Sequence, residues 1–454
     1  MSSDYQTLDE EGAFNRPVRR KFRVGMIAMF SSIILTISVL IFAFFTSNDI
    51  VVHHPTIKLF NNARNDVSTE TVLMISIDGV RAEYIDRGYM PNLEKLANEG
   101  IMADGMIPVF PSLTFPNHYT IATGLYPYLH GIVNNEFYDP SLNETFSYKK
   151  PNQNEGKWWG GEPIWNTVQK HGMTSGVYFW PGAEVSGKYP NYYVEPYNET
   201  IPNHERLKTV LEWLDKPRRP SFLGMYISDV DTAGHNFGPN SFKVNKALER
   251  VDNVIGLLIS ELKKRNLYEK VHIMIVSDHG MTELSDEKIV FLDELVNMGW
   301  IERSDTGPFV SIWPKKNKEE IVYQTLYEKS LINNHFSVFK KEYLPKRYHY
   351  KDNQRIAPII VLCDLGWLMM KRSVDRPSFN GMGTHGYNPT DKDMHALFVA
   401  KGPKFVKNSN SFKIPENRIP SFRNLDLYRV VTRVLEIDGS PTNGTDTLIR
   451  LILQ

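Results

Sequence analysis

The sequence predicts an α/β domain built on a mostly parallel sheet. Short apolar runs recur along the chain, and segments of helical period separate them, the pattern of βαβ units. Three of those runs end in an aspartate, at the position where an open α/β sheet presents its ligand site. The 454 residues suffice for one large domain or two ordinary ones. Formal net charge is zero, which gives no broad attraction to a nucleic-acid duplex. The one cysteine, Cys363, excludes an intrachain disulfide.

In chain order, residues 1–23 read as a cytosolic tail, polar at first and then basic through Arg16, Arg19, Arg20, Lys21 and Arg23. Val24 to Phe45 carries no charge. At about 1.5 Å per residue it is long enough for a bilayer core of about 30 Å, and the basic flank holds its N-terminal side in the cytosol. This predicts a type II signal-anchor with the remainder lumenal or extracellular. A cleaved signal peptide is the alternative. The run is longer than an ordinary h-region and lacks a convincing small-x-small site. Residues 46–70 read as a stalk, and 71–454 as the folded domain. The sequons at Asn143, Asn198 and Asn443 suit a lumenal body.

Within that body, Val72 to Ile77 reads as a buried strand ending at Asp78-Gly79. Pro91 to Gly100 reads as a short amphipathic helix closed by glycine. Pro108 to Gly124 sets Thr114 in a proline-rich turn ahead of a small-residue helix. Pro116 fits a first helical turn, and Thr114 falls at or beside the N-cap, where unpaired N–H groups favour an anion. Thr174 to Trp180, Phe222 to Ser228, Val271 to Ser277 and His395 to Ala400 read as strands, and Ser241 to Asn266 and Leu425 to Leu435 as helices. Period is weakest from Glu302 to Lys371, which reads as an irregular insertion or cap.

The chemistry gathers at the strand ends: Asp78, Asp231 and Asp278. Three carboxylates there repel one another unless cations lie between them. Asp231-Thr-Ala-Gly-His235 adds an imidazole, Asp278-His279-Gly280 another, and Gly383-Thr-His385-Gly386 a third between glycines. Oxygen and nitrogen donors without thiolate suit zinc at a catalytic site, ahead of manganese. Taken singly, each Asp–His pair reads as an ordinary polar contact and Thr114 as an ordinary cap; the set as a whole points to a metal site.

The segments ISIDG, TFPNHYTIATGLYP, HGIVNN, YFWPG, DTAGHNFGP, SDHGM and GTHGY, in that order, resemble the nucleotide pyrophosphatase/phosphodiesterases of the alkaline phosphatase superfamily. The likeness runs from about Val72 to the C-terminus and lacks the cysteine-rich and nuclease-like modules of larger relatives. It implies an alkaline phosphatase-like sheet with helices on both faces and two zinc ions. One ion would be held by Asp231, His235 and His385, the other by Asp78, Asp278, His279 and the nucleophile Thr114. It also implies that Asn135 donates to a phosphoryl oxygen, and that Phe115, Trp180, Pro181 and Tyr197 line a nucleobase pocket. The implied reaction is hydrolysis of nucleotide pyrophosphate and phosphodiester bonds through a threonine-linked intermediate, releasing nucleoside 5'-monophosphates. No obligate protein partner is implied.

Leu113, Ser228-Asp-Val-Asp231, Gln153 and Glu184 depart from several relatives, which leaves base preference open. A choline or lysophospholipid phosphodiesterase with the same metals is the enzymatic alternative, and an inactive lumenal binding module is the alternative of another class. A sulfatase is excluded, because Cys363 lies in VLCDLGW and the Thr114 segment has no partner arginine.

Overall fold

In the main sheet of the computed structural model, side chains of successive residues point to opposite faces and both faces are covered. The model describes residues 70–375, 378–406 and 418–453. The tail, the apolar run Val24 to Phe45 and the stalk up to residue 69 lie outside the described residues. Among the described residues, no helix is long and apolar enough to cross a membrane.

The main-sheet strands are β1 (Thr71–Ile77), β2 (Ile101–Ala103), β3 (Ser175–Tyr178), β4 (Tyr192–Val194), β5 (Phe222–Ile227), β6 (Val271–Val276), β7 (Phe398–Lys401) and β8 (Arg418–Ile419). Their order is β8-β2-β7-β6-β1-β5-β3-β4. All neighbours are parallel except β7, which runs antiparallel to β6 and β2. The helices that matter here are α1 (Pro91–Glu99), α2 (Thr114–Thr123), α3 (Asn203–Leu214), α4 (Asp229–Phe237), α5 (Phe242–Lys264), α6 (Glu319–Ile332) and α7 (Asp426–Leu435).

Every residue of β1, β5 and β6 is buried, which is why these strands read as unbroken apolar runs. Val72 and Met74 pack with Tyr119 and Ile121 of α2 and Leu427 and Val431 of α7. Leu73, Ile75 and Ile77 pack with Leu93 of α1, Leu207 of α3 and Leu248 of α5. The alternation along β1 therefore divides two cores, one on each face, as the resemblance implied.

Boundaries follow local chemistry. Strand β3 stops at Tyr178 because Phe179 takes a left-handed conformation, φ 62°, which ends the extended run before Trp180. Helix α1 lacks a cap of its own. The buried Asp252 of α5 accepts from the N–H groups of Asn92 and Leu93 at 3.1 and 2.9 Å, satisfying two of its orphan donors. Ser241 caps α5 through Val244 N–H.

The stretch from Glu302 to Lys371 is regular, contrary to expectation. Strands Ile301–Ser304, Phe309–Pro314, Ile359–Cys363 and Phe336–Lys340 form an antiparallel sheet in that spatial order, and α6 packs on it. Its core includes Val310, Ile312, Val322, Leu326, Val338 and Val361. The helical period is erased on α6 because only Val322 and Leu326 are buried, while Ile321, Leu331 and Ile332 face solvent.

Candidate active site

Strands β1, β5 and β6 end nearly level, since Ile77 pairs with Ile227 and Ser76 with Val276. The residues that follow are thereby brought to one edge. Asp78 N–H donates to Ile227 O at 2.8 Å, and Asp231 N–H donates to Asp78 O at 3.1 Å, so α4 begins hard against the end of β1. Gly79 makes that approach possible. Its φ is 71°, and a Cβ there would lie 2.8 Å from Asp231 Cα. Asp231 and His235 stand four residues apart on α4 and share one face. Asp278 and His279 follow β6. His385 enters on a loop held by the antiparallel pairing of Gly383–Thr384 with Thr282–Glu283.

Thr114 is the first residue of α2, beside the N-cap, which is Leu113. Its hydroxyl makes no capping bond. It lies 3.2 Å from His279 Nε2. The preceding turn is pinned by Asn117, whose Nδ2 donates to Pro111 O and Leu113 O and whose Oδ1 accepts from Val109 N–H.

All three histidines present the same atom inward. His235 Nδ1 faces Gly383 O at 2.9 Å, His279 Nδ1 faces Gly280 O at 2.8 Å, and His385 Nδ1 faces Ser112 O at 2.9 Å. A carbonyl only accepts, so each Nδ1 carries a proton, and in the neutral ring each Nε2 offers a lone pair. The Nε2 atoms of His235 and His385 lie 3.2 Å apart. Two lone pairs at that distance repel unless a cation lies between them. The carboxylates agree: Asp78 Oδ1, Asp231 Oδ1 and Asp278 Oδ2 are buried with no hydrogen-bond partner. Oriented imidazoles and orphaned carboxylate oxygens form a donor set that fits metal ions.

Among the described residues, candidate ligand atoms converge in three overlapping groups: Asp231, His235 and His385; Asp78, Asp231 and His279; and Asp78, His118 and Asp278. The first is the set expected for one ion. The residues expected for the other also meet, with His279 Nε2 at 2.9 Å from Asp278 Oδ2 and 3.4 Å from Asp78 Oδ1. Asp231 reaches into both sets. His118, in the third, is engaged through both nitrogens. Nδ1 faces Thr114 O at 2.9 Å, and Nε2 faces Ser76 Oγ at 2.8 Å. Nδ1 also lies 3.2 Å from Asp278 Oδ2, so the ring supports Asp278 and leaves no lone pair for a metal.

Electrostatics record the crowding. Burial, then the charges of Asp278 and Asp231, hold the Asp78 carboxyl well above its ordinary range, against a 2.6 Å hydrogen bond from Tyr226 Oη. Burial pushes Asp278 up, but His279 and His118 outweigh it and hold it well below. Burial and the neighbouring His279 and His235 push His385 down.

The residues expected around a base divide into two aromatic groups. Phe115 packs against Phe146, Tyr148 and Trp159, with centroids 5.7 to 6.1 Å away. Tyr197, 40% exposed, packs against Phe179 and Tyr226. Trp180 and Pro181 are buried, and Trp180 Nε1 donates to His118 O at 3.1 Å. Asn135 sits beside Thr114, its Oδ1 accepting from Phe115 N–H at 2.9 Å.

The family model for type I phosphodiesterase / nucleotide pyrophosphatase matches residues 72–388. The chain belongs to this family. Its members are hydrolases, and this phosphodiesterase carries the family's α/β architecture. An uncharacterized pyrophosphatase/phosphodiesterase of Schizosaccharomyces pombe is 39% identical over 398 residues, covering 85% of this chain and 81% of the relative. Human ectonucleotide pyrophosphatase/phosphodiesterase family member 1 is 36% identical over 399 residues, 85% of this chain but 42% of the relative. The chain thus spans less than half of that vertebrate protein. Among solved structures, murine ectonucleotide pyrophosphatase/phosphodiesterase 5 superposes with a TM-score of 0.79 at 32% identity, covering 85% of this chain and 100% of that one. That structure is an inactive threonine-to-alanine variant in complex with AMP.

Sequence reasoning missed several residues at the site of this phosphodiesterase. His118 was readable in one respect, since it lies one helical turn after Thr114 and so on its face. Tyr226 carried no signal inside an apolar strand. Asn134 and Asp305, hydrogen-bonded at 3.3 Å, are separated by 171 residues.

Proposed function

We propose that this chain is a metal-dependent nucleotide pyrophosphatase/phosphodiesterase with Thr114 as its nucleophile. The observation that carries the reading is the Thr114 hydroxyl, set 3.2 Å from His279 Nε2, which itself lies 3.4 Å from Asp78 Oδ1 and 2.9 Å from Asp278 Oδ2. The relative inactivated by a threonine-to-alanine change and holding AMP supports both the nucleophile and a nucleotide product.

Asp231, His235 and His385 would hold one zinc ion, and Asp78, Asp278, His279 and Thr114 a second. Bound there, the two ions supply Lewis acidity, which makes hydroxyl and water oxygens stronger nucleophiles near neutral pH and offsets charge on the phosphoryl group. Thr114 Oγ gives its proton to solvent and bonds to phosphorus, while the bond from phosphorus to the leaving oxygen breaks and the leaving group departs with that electron pair. Asn135 Nδ2, left as the donor because Oδ1 is occupied by Phe115 N–H, stabilises the charge developing on the phosphoryl oxygen. Water then attacks the phosphothreonine, frees the nucleoside 5'-monophosphate and returns the proton to Thr114. Phe115 and Tyr197 offer ring faces for a base.

Rates on a dinucleotide, a nucleoside triphosphate and a choline phosphodiester test the substrate class. The nucleotides should be cleaved at least tenfold faster, the margin expected from roughly 1.4 kcal/mol of base stacking. Preference for the choline ester would replace the nucleotide reading with the other phosphodiesterase reading.

We further propose the type II topology, with Val24 to Phe45 as anchor. The sequon environments then predict unequal use. Asn143, φ 50°, stands exposed in the turn between Glu136–Asp139 and Glu144–Ser147, and Asn198 is also exposed. Asn443 is tied in: Oδ1 accepts from Tyr126 N–H, its N–H donates to Gly124 O, and the Thr445 hydroxyl donates to Asp426. Glycosidase treatment should shift the mobility of the full chain. Asn143→Gln and Asn198→Gln together should remove that shift, and Asn443→Gln alone should leave it intact. A full-length protein without any shift would contradict the topology.

A further inference from the structure

The insertion grips the loop that carries Asn135 at three successive points. Arg355 Nη1 donates to Gly131 O at 2.9 Å, Tyr350 Oη donates to Val133 O at 2.8 Å, and Asn134 Nδ2 donates to Asp305 Oδ2 at 3.3 Å. Arg355 is itself anchored by Asp139, a carboxylate 1% exposed, at 2.7 Å. The insertion also reaches the turn before Thr114. Phe110 packs against Phe309 and Tyr350 with centroids 5.2 and 5.1 Å away. A segment that reads in sequence as a cap is therefore built into the wall of the site.

The third contact has a defined polarity. An ionised carboxylate only accepts, so the Asn134 amide must turn Nδ2 toward Asp305. Its Oδ1 is then the atom that accepts from Asn135 N–H, at 2.7 Å. Asn135 Oδ1 accepts in turn from Phe115 N–H, the residue after the nucleophile. Each group in this series has one consistent role, and the last free donor is Asn135 Nδ2. Asp305 is held in place by its own N–H, which donates to Ser311 O at 3.1 Å. The Asn134 amide is thus held from two sides, by the Asn135 N–H at Oδ1 and by Asp305 at Nδ2. Without Asp305 one of these two restraints is lost, and the amide can swing away from Asn135 and release its backbone.

We propose that Asp305 and Asn134 are positioning residues for Asn135, so that the insertion sets the geometry of phosphoryl-oxygen stabilisation. This rests on the reading of Asn135 as the phosphoryl donor. It assigns Asp305 a role in turnover while leaving substrate affinity nearly untouched, because the contact acts where charge develops in the transition state.

The test is a mutant cycle in the full-length, zinc-loaded protein. Asp305→Ala and Asn134→Ala should each lower kcat roughly 10- to 100-fold with KM within about twofold, the scale of a misplaced catalytic group. Asp305→Asn keeps an acceptor and should recover most of the rate, which a purely structural loss of charge would not predict. Added to Asn135→Ala, Asp305→Ala should cost nothing further, since the residue it positions is already gone. If Asp305→Ala does not fold, as judged by thermal unfolding, Asn134→Ala carries the same cycle from the other side of the contact. Full multiplication of the two effects, or a normal kcat in both single variants beside an impaired Asn135→Ala, would overturn the positioning role and leave Asn135 standing. A normal rate in Asn135→Ala itself would remove both.

Discussion

Asp278→Ala should lose one metal ion and essentially all turnover while retaining the fold. Asp278 lies fully buried beyond β6, and its Oδ2 faces the rings of His279 and His118 at 2.9 and 3.2 Å. Its removal opens the ligand set proposed to contain Thr114. Asp231→Ala should act on both sets, because Asp231 joins His235 and His385 on one side and Asp78 and His279 on the other. A loss of at least 10³-fold in kcat is expected, as when electrostatic stabilisation is removed from a phosphoryl-transfer site.

The metal-free proteins should behave in the opposite sense. Three buried carboxylates repel when no cation separates them, and the Asp78 carboxyl is held well above its ordinary range for that reason together with burial. Asp231→Ala takes one of these charges away from Asp78, and either substitution removes a candidate metal ligand. Chelation should therefore lower the unfolding temperature of the wild type more than that of Asp278→Ala or Asp231→Ala. Elemental analysis after dialysis, with unfolding curves recorded with and without chelator, reads both effects. Full activity in a wild-type preparation shown to be metal-free would sink the metal assignment.

These expectations were legible in sequence to very different degrees, for physical reasons. Strands β1, β5 and β6 are buried on both faces, so they appear as uninterrupted apolar runs, and the polar residue after each run is forced to the sheet edge. Asp78, Asp278 and His279 could be read from that alone, and Asp231 from the short turn that follows β5. The insertion obeys another rule. Its antiparallel strands bury one face in a core of their own and turn the other, through Phe309 and Ile360, onto the main body; Phe309–Pro314 mixes buried and partly buried positions, and α6 exposes several of its own apolar residues. The pattern dissolves although the structure is regular.

Support residues were hidden for a third reason. Tyr226 reaches Asp78 only because β5 lies beside β1, with Ser76 paired to it. Asp305 meets Asn134 only through the docking of the insertion. Such roles belong to tertiary placement, and no local period announces them. Trp180 and Pro181 show the converse: both are buried, so each contributes packing whatever it offers a substrate.

Thr114→Ala should abolish turnover with little change in stability. The hydroxyl makes no capping bond, so its loss should cost less than the ~1 kcal/mol typical of a lost cap. Helix α2 remains held by Asn117 at its start and by Gly124, φ 66°, at its end. The variant should still bind nucleoside monophosphate, because Asn135, Phe115 and the carboxylate–imidazole cluster are unchanged. Thr114→Ser keeps the attacking oxygen and should retain partial activity. Near-normal turnover in Thr114→Ala would make Thr114 an ordinary helix-start residue.

The most direct measurement follows phosphorus itself. Attack by Thr114 and then by water makes two in-line displacements, and each inverts configuration. Hydrolysis of a thiophosphate diester of known chirality in isotopically labelled water should therefore proceed with net retention. Net inversion would mean that water attacks the substrate in a single step, and would contradict the covalent role of Thr114.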